Sequence, residues 1–233
     1  MRYRSIVVLT GAGVSAESGV RTFRDNDGLW EEHRVEDVAT PEAFARNPDL
    51  VYAFYNARRA QLGTVEPNAA HRALARLEKE HRGDVLVVTQ NVDDLHERAG
   101  QSNLIHMHGE LKKARCGHCG AVSVWDEPLD ATNRCGACGT VGQMRPHIVW
   151  FGEMPLAMDD IDIALAGADL FISVGTSGNV YPAAGFVQMV RGLGRAETVE
   201  INLEPSEGSF MFHDSRLGPA GRLVPQFVDE LLS

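Results

Sequence analysis

Apolar, β-branched runs recur along the chain, with helix-periodic segments between them. Residues 5–10, 84–89, 168–174 and 198–203 are almost continuously apolar. Strands of that kind are covered on both faces, so the pattern predicts a parallel sheet between two layers of helix. A shorter strand is predicted over 104–107. Residues 67–82 have a helical period: Pro67 and Asn68 stand at the start, Ala70, Ala73, Leu74 and Leu77 form one stripe, and Gly83 ends it. Segments 158–167, 182–192 and 223–232 also read as helices. The alternation predicts an α/β fold, a Rossmann-like doubly wound parallel sheet.

Residues 109–147 break this rhythm. They are rich in Gly, Cys, Lys, Pro and Asn and too poor in apolar side chains to form a core of their own. All four cysteines fall here, as Cys116/Cys119 and Cys135/Cys138, two Cys-x-x-Cys pairs separated by fifteen residues. Each pair can clamp one side of a tetrahedral zinc from a tight turn, and ligation would supply the missing stability. The organisation expected is a discontinuous nucleotide-binding domain, 1–108 and 148–233, carrying a small zinc module at 109–147. With four thiolates the site is closed, so the metal is expected to be structural.

Another stripe is less ordinary. Val51, Phe54, Tyr55, Arg58 and Leu62 follow i, i+3, i+4, i+7, i+11, which puts Arg58 on an apolar helix face and turns Arg59 away from it. A buried arginine needs an anionic partner. A structural salt bridge or a snorkelling side chain would serve as well as a ligand.

The 233 residues carry a net charge of −10 and are 44% hydrophobic. One sizeable core and a small second module fit that length. The acidic balance argues against a nucleic-acid partner. No segment approaches a membrane span, and the short apolar run after Met1 lacks a cleavage site, so no export signal is read. With zinc-style cysteines, the expectation is a cytoplasmic protein.

The first strand runs into Gly11-x-Gly13-x-x-Ala16, the context of a nucleotide-phosphate loop. A tight strand-to-helix turn without ligand fits the bare pattern equally. The acidic residue that should end a second strand about 20 residues on is missing, because 21–30 reads as a loop. Glu204, just past the strand ending at Leu203, is the better ribose partner. A plain dehydrogenase is thereby disfavoured.

Gly11 to Gly19 followed by Thr22, Phe23 and Arg24 resembles the opening signature of the sirtuins, NAD-dependent protein deacylases. Thr89 to His96 resembles their second motif and His108-Gly109 their catalytic His-Gly. The four cysteines resemble their zinc module, and Gly175-Thr176-Ser177 and Asn202-Leu203-Glu204 two further NAD contacts. The motifs run in family order over essentially the whole chain. Arg21, where many relatives have Pro, and the run from Phe54 to Arg59 resemble the bacterial CobB-type, class III branch.

The resemblance implies NAD consumed as a co-substrate, with lysine, nicotinamide and O-acyl-ADP-ribose as products. It assigns His108 as the base; the residues alone do not select it among nine histidines, and His106 is expected to be structural. It places Gly11, Ala12, Gly13, Ser15, Ala16, Glu17, Thr22, Phe23, Arg24, Trp30, Gln90, Asn91, Val92, Asp93, Gly175, Thr176, Ser177, Asn202, Leu203, Glu204 and Ala220 around NAD. Phe23 and Arg24 would close over it as a lid. Asn91 and Asp93 equally suit caps of a helix starting near residue 92.

By the same resemblance Tyr55 and Arg58 grip the carboxylate of succinyl- or malonyl-lysine, a task suited to the guanidinium fork. Val149, Trp150, Phe151 and Gly152 offer an edge for the substrate backbone, or simply a linker back to the main domain. Acyl-lysine proteins are the implied partners, and a monomer the implied state. An oxidoreductase, a non-enzymatic zinc adaptor and a mono-ADP-ribosyltransferase are the rival classes.

Overall fold

Strand β1 (Ser5–Thr10) alternates its apolar side chains between two cores, Ile6 and Val8 on one side and Val7 and Leu9 on the other. That two-sided burial is why the run is continuously apolar. In this computed structural model, which describes residues 2–20, 29–30 and 33–233, the chain continues as α1 (Ala12–Ala16), β2 (Leu29–Trp30), β3 (His33–Arg34), α2 (Val35–Val38), α3 (Pro41–Arg46), α4 (Pro48–Gln61), α5 (Ala69–Glu80) and β4 (Asp84–Thr89). Next come α6 (Leu95–Arg98), β5 (Leu104–His106), β6 (Gly109–Cys116), β7 (Val122–Val124) and β8 (Met144–Ile148). The last elements are α7 (Met158–Gly167), β9 (Leu170–Val174), α8 (Phe186–Leu193), β10 (Glu197–Asn202), β11 (Asp214–Leu217) and α9 (Ala220–Leu232).

The six-stranded sheet has the order β11-β10-β9-β1-β4-β5, with every pairing parallel. The chain winds from β1 through β4 to β5 on one side, then from β9 through β10 to β11 on the other. Strand order therefore reverses between β1 and β9, and the loops leaving their carboxyl ends open a crevice there. Helices α5 and α9 cover one face through Leu74, Leu77, Val224 and Val228; α7 and α8 cover the other through Ile161, Leu165, Phe186 and Val190.

Residues 109–148 leave this sheet and form a separate antiparallel one, β7-β6-β8. Its small core joins Cys116, Cys135, Leu129 and Met144 to Tyr52 of α4. The Tyr52 hydroxyl donates to the Met144 carbonyl at 2.7 Å, and Asn56 exchanges two hydrogen bonds with the Leu129 backbone. Arg59 does lie on a different face from Arg58, yet it is not turned to solvent. It is 5% exposed and donates to the Leu111 carbonyl at 2.7 Å, because β6 covers that face of the helix.

Several boundaries differ from the sequence reading. Helix α9 begins at Ala220, three residues early, because the Gly221 amide donates to the Glu17 carboxylate, 204 positions away. Helix α6 begins at Leu95 and not near 92. Strand β11, with every side chain at least partly exposed, has no apolar run to reveal it.

Candidate active site

Four loops leaving β1, β4, β9 and β10 meet at the carboxyl edge of the sheet. The Gly11 amide donates to the Val174 carbonyl at 3.0 Å and the Gly13 amide to the Gly175 carbonyl at 2.9 Å. These two loops touch backbone to backbone. A Cβ on Gly13 would stand 2.8 Å from the Gly175 Cα, and Gly175 itself has φ +63°. The glycines thus answer to loop–loop packing as well as to any ligand. The next loop over is tied in by Asn202, which donates to the Thr176 carbonyl, while the Glu207 amide donates to Ser177. Leu203 and Glu204 beyond it are exposed.

Asn91 binds the β4 loop to the glycine turn. Its Nδ2 donates to the Gly11 carbonyl at 3.1 Å and to Ser15 Oγ at 3.0 Å. Ser15 and Asp93 are buried, and Asp93 Oδ1 accepts from the Leu95 amide at 3.1 Å, although the residue at the N-cap of α6 is Asp94, so neither Asn91 nor Asp93 is the cap. Burial raises the Asp93 pKa; the Leu95 amide and Ser15 oppose the shift. Gln90 and Val92 flank these two, each half-buried, and Ala12 and Ala16 are exposed on the glycine turn. Ala220 is buried at the head of α9, beside the Glu17–Gly221 bond. Glu17 is thereby placed as a helix-end partner, which local sequence does not reveal.

His106 and His108 point to the same side of the chain while Met107 between them is fully buried in the opposite core. The ring Nδ1 of His108 lies 3.1 Å from the Gln90 carbonyl, and that of His106 3.1 Å from the Asn91 carbonyl. A carbonyl only accepts, so each ring carries its proton on Nδ1. For His106 the other nitrogen meets Glu97 at 2.9 Å. Burial lowers the His106 pKa, but Glu97, Glu110 and the Asn91 carbonyl outweigh it and the net shift is upward. For His108 burial dominates and the pKa falls. His108 is thus the more readily deprotonated imidazole of the two, with Nε2 as the nitrogen that gives up the proton. Gly109 follows with φ +82°, and a Cβ there would collide with the His147 carbonyl. That collision explains the His-Gly pair.

The backbone carries the site onward. The Val149 amide donates to the His108 carbonyl at 2.9 Å, the Trp150 amide to Glu153, and the Phe151 amide to Ala39. The Trp150 carbonyl in turn accepts from the Glu153 amide at 2.9 Å, so the backbone of 149–151 is tied back to its own surroundings. Phe151 and Gly152 are exposed, whereas Trp150 is buried. Its indole Nε1 donates to the Tyr55 hydroxyl at 3.0 Å. Tyr55 and Arg58 are buried together on α4, the Arg58 guanidinium 5.5 Å from the centre of the Phe54 ring. The helical stripe read from sequence is therefore a buried face. Thr22, Phe23 and Arg24 lie outside the described residues, and of Trp30 only the backbone, paired with His33, is described.

The cysteines meet at one point. All four Sγ atoms lie within 4.8 Å of one another, with Cys116–Cys138 at 3.8 Å and Cys119–Cys135 at 3.7 Å. A tetrahedron with zinc–sulfur bonds of about 2.3 Å has edges of about 3.8 Å. The donor set fits zinc.

A polar network beneath the cleft escaped the sequence reading. Thr10 joins Thr89 at 2.9 Å and His96 at 3.0 Å, and His71 reaches Ser15 at 3.4 Å. Only the Asn68-x-x-His71 capping box at the start of α5 could have flagged part of it.

The model of the Sir2 family matches residues 11–182. This chain belongs to the Sir2 family. The NAD-dependent protein deacylase of Vibrio parahaemolyticus is 60% identical over 233 residues, covering 99% of this chain and 96% of its own. That of Salmonella typhimurium is 59% identical over 229 residues, covering 97% and 84%. A mutant Sir2 homologue complexed with ADP-ribose superposes with a TM-score of 0.90 at 39% identity, over 98% of this chain and 92% of that one. A Sir2 homologue–NAD complex gives 0.89 at 39% identity, over 99% and 91%. The sirtuin architecture is thus shared over nearly the full length, glycine turn and cysteine-bearing insertion included.

Proposed function

We propose that this sirtuin removes acyl groups from lysine side chains of proteins in an NAD-dependent reaction, and that it accepts succinyl and malonyl as well as acetyl groups. The observation that carries the reading is the His108 ring. Its Nδ1–H is pinned on the Gln90 carbonyl and burial keeps the imidazole neutral, so Nε2 is a base at neutral pH, beside the loop that leaves the carboxyl end of β4. NAD, when bound, supplies an ADP-ribose that releases nicotinamide and receives the acyl group. The NAD-dependent deacylase relatives and the NAD and ADP-ribose complexes of Sir2 homologues support that co-substrate.

The chain's own residues divide the work. The turn Gly11–Ala16 and Gly175–Ser177 present small residues where pyrophosphate would approach, and Asn202, Leu203 and Glu204 would border the adenosine ribose. Asp93 would hold the nicotinamide amide, with Gln90 and Asn91 at the ribose. His108 takes the proton at Nε2 from the ribose hydroxyls, and Nδ1–H keeps the ring oriented as charge develops. Zinc on the four cysteines would hold the β6–β8 module without taking part in the chemistry. We also assign the module to 109–147 as a unit, and read the protein as a cytoplasmic monomer that acts on acyl-lysine proteins without nucleic acid or membrane. No helix among the described residues is long and apolar enough to cross a membrane.

Tyr55 and Arg58 support the acidic-acyl preference, because a buried guanidinium and a phenol together match a carboxylate. The test uses one peptide carrying succinyl-, malonyl-, acetyl- or unmodified lysine, with NAD, following nicotinamide and peptide mass. Arg58→Met is expected to lower desuccinylation about 10- to 100-fold relative to deacetylation, the effect of a lost charged hydrogen bond. Equal loss of both activities sinks the acyl assignment. A peptide that gains ADP-ribose sinks the deacylase reading in favour of a transferase.

A further inference from the structure

We propose that Trp150 is a specificity-determining residue, whose indole N–H orients the Tyr55 hydroxyl to donate toward the carboxylate of an acidic acyl chain. The inference rests on the assignment of Tyr55 and Arg58 to that carboxylate, and extends it to a second layer of side chains.

Trp150 is 2% exposed and held from several sides. The Arg145 guanidinium lies 3.4 Å from the centre of its ring. Arg145 is in turn clamped by Glu153, through Nη1 at 2.7 Å and Nη2 at 2.9 Å, and by the Ile148 carbonyl at 2.8 Å. The same Glu153 carboxylate accepts the Trp150 amide at 2.8 Å and pairs with Arg115 of β6 at 3.4 Å. Phe44 packs beside the indole at 5.3 Å between ring centres. One carboxylate thus fixes both the backbone of Trp150 and the cation stacked on it. The indole then has a single polar group to place, and it is placed on Tyr55.

Indole N–H is a donor only, whereas a phenol has one hydrogen and can also accept. The direction of the bond is therefore settled: Tyr55 accepts from Trp150 and cannot donate back. Accepting a hydrogen bond strengthens the phenol as a donor in its own right. Burial also raises the Tyr55 pKa and keeps that hydrogen in place. An acidic acyl chain ends in an acceptor-only carboxylate beside Arg58, and the pre-set donor matches it. An acetyl group brings no carboxylate, so it gains nothing from the arrangement.

The experiment compares wild type, Trp150→Phe, Tyr55→Phe, the double variant and Arg58→Met on matched succinyl and acetyl peptides. KM and kcat are measured separately, with thermal unfolding alongside. Phenylalanine keeps a ring for Arg145 and removes the donor along with part of the ring volume, an effect that the acetyl peptide and the double variant control for. We expect Trp150→Phe to raise the succinyl KM about 3- to 10-fold relative to the acetyl KM, the range of one neutral hydrogen bond. In the Tyr55→Phe background it should add less than about twofold, because the coupling partner is gone.

Equal effects on both peptides, or full additivity in the double variant, overturn the inference. If Arg58→Met remains selective in that case, the carboxylate assignment stands without it. If Arg58→Met is itself unselective, both fall together. Should Trp150→Phe fail to fold, Arg145→Lys carries the test: it keeps the ion pair with Glu153, loses the flat stack, and should shift the succinyl-to-acetyl ratio in the same direction. An unchanged ratio there also overturns the proposal.

Discussion

His106 and His108 sit two residues apart and dock on adjacent carbonyls, but differ in the carboxylates around them, Glu97 at the second ring nitrogen above all. Glu97 meets His106, and the pKa rises; burial governs His108, and the pKa falls. This predicts the pH dependence. His108, the base proposed above, is active when deprotonated, and its pKa lies below the ordinary 6.5. The acid limb of kcat/KM should therefore fall below pH 6.5, with a plateau through neutrality, read by initial rates of acyl loss. His108→Ala should lower kcat about 100- to 10,000-fold while thermal unfolding still shows a folded protein. Sequence put both histidines on one side of the chain by strand alternation, but could not weigh them. The Glu97 contact that separates them depends on how α6 packs against β5.

Helices α5 and α6 meet through two buried histidines, His71 and His96, their ring centres 4.9 Å apart. Burial pushes His71 down to about 4 and His96 well below its ordinary value. Both are therefore neutral when folded, and between pH 6.5 and about 4 the unfolded chain binds more protons. Stability is fully present above the unfolded pKa and is lost as pH falls through that window. His71 alone contributes on the order of 3 kcal/mol. His106 acts in the opposite sense: its raised pKa stabilises below the unfolded value, and that contribution is lost as pH rises through the folded one. The net expectation is a lower urea midpoint at pH 5 than at pH 7.5, with a smaller difference in His71→Gln. An unchanged midpoint would contradict the buried-pair account. Helix α5 could be read from sequence because a capping box and an apolar stripe mark it locally. The first turn of α9 could not, since its partner is Glu17 at the far end of the chain.

Across the whole molecule, the β6–β8 module has few apolar side chains of its own and borrows Tyr52 from α4 to complete its core. Metal ligation and that shared core together hold it in place, so zinc loss should reach beyond the module. One zinc per chain should be released by thiol-reactive mercurial and captured by a colorimetric chelator. Activity and melting temperature should fall together, and Cys116→Ser should reproduce both effects. A variant that loses metal but keeps full activity and its melting temperature would contradict a structural role. The spacing of the cysteines, the continuous apolar strands and the glycine turn were determined by sequence alone, because each is a local pattern that a short stretch of chain satisfies by itself. Tertiary structure alone decided the burial of Arg59 under β6, the Glu17 contact with α9, the partners that set His106 apart from His108, and the indole bond to Tyr55. Those depend on groups far apart in the chain, whose desolvation and hydrogen bonding exist only once the sheet, the helices and the zinc module have packed.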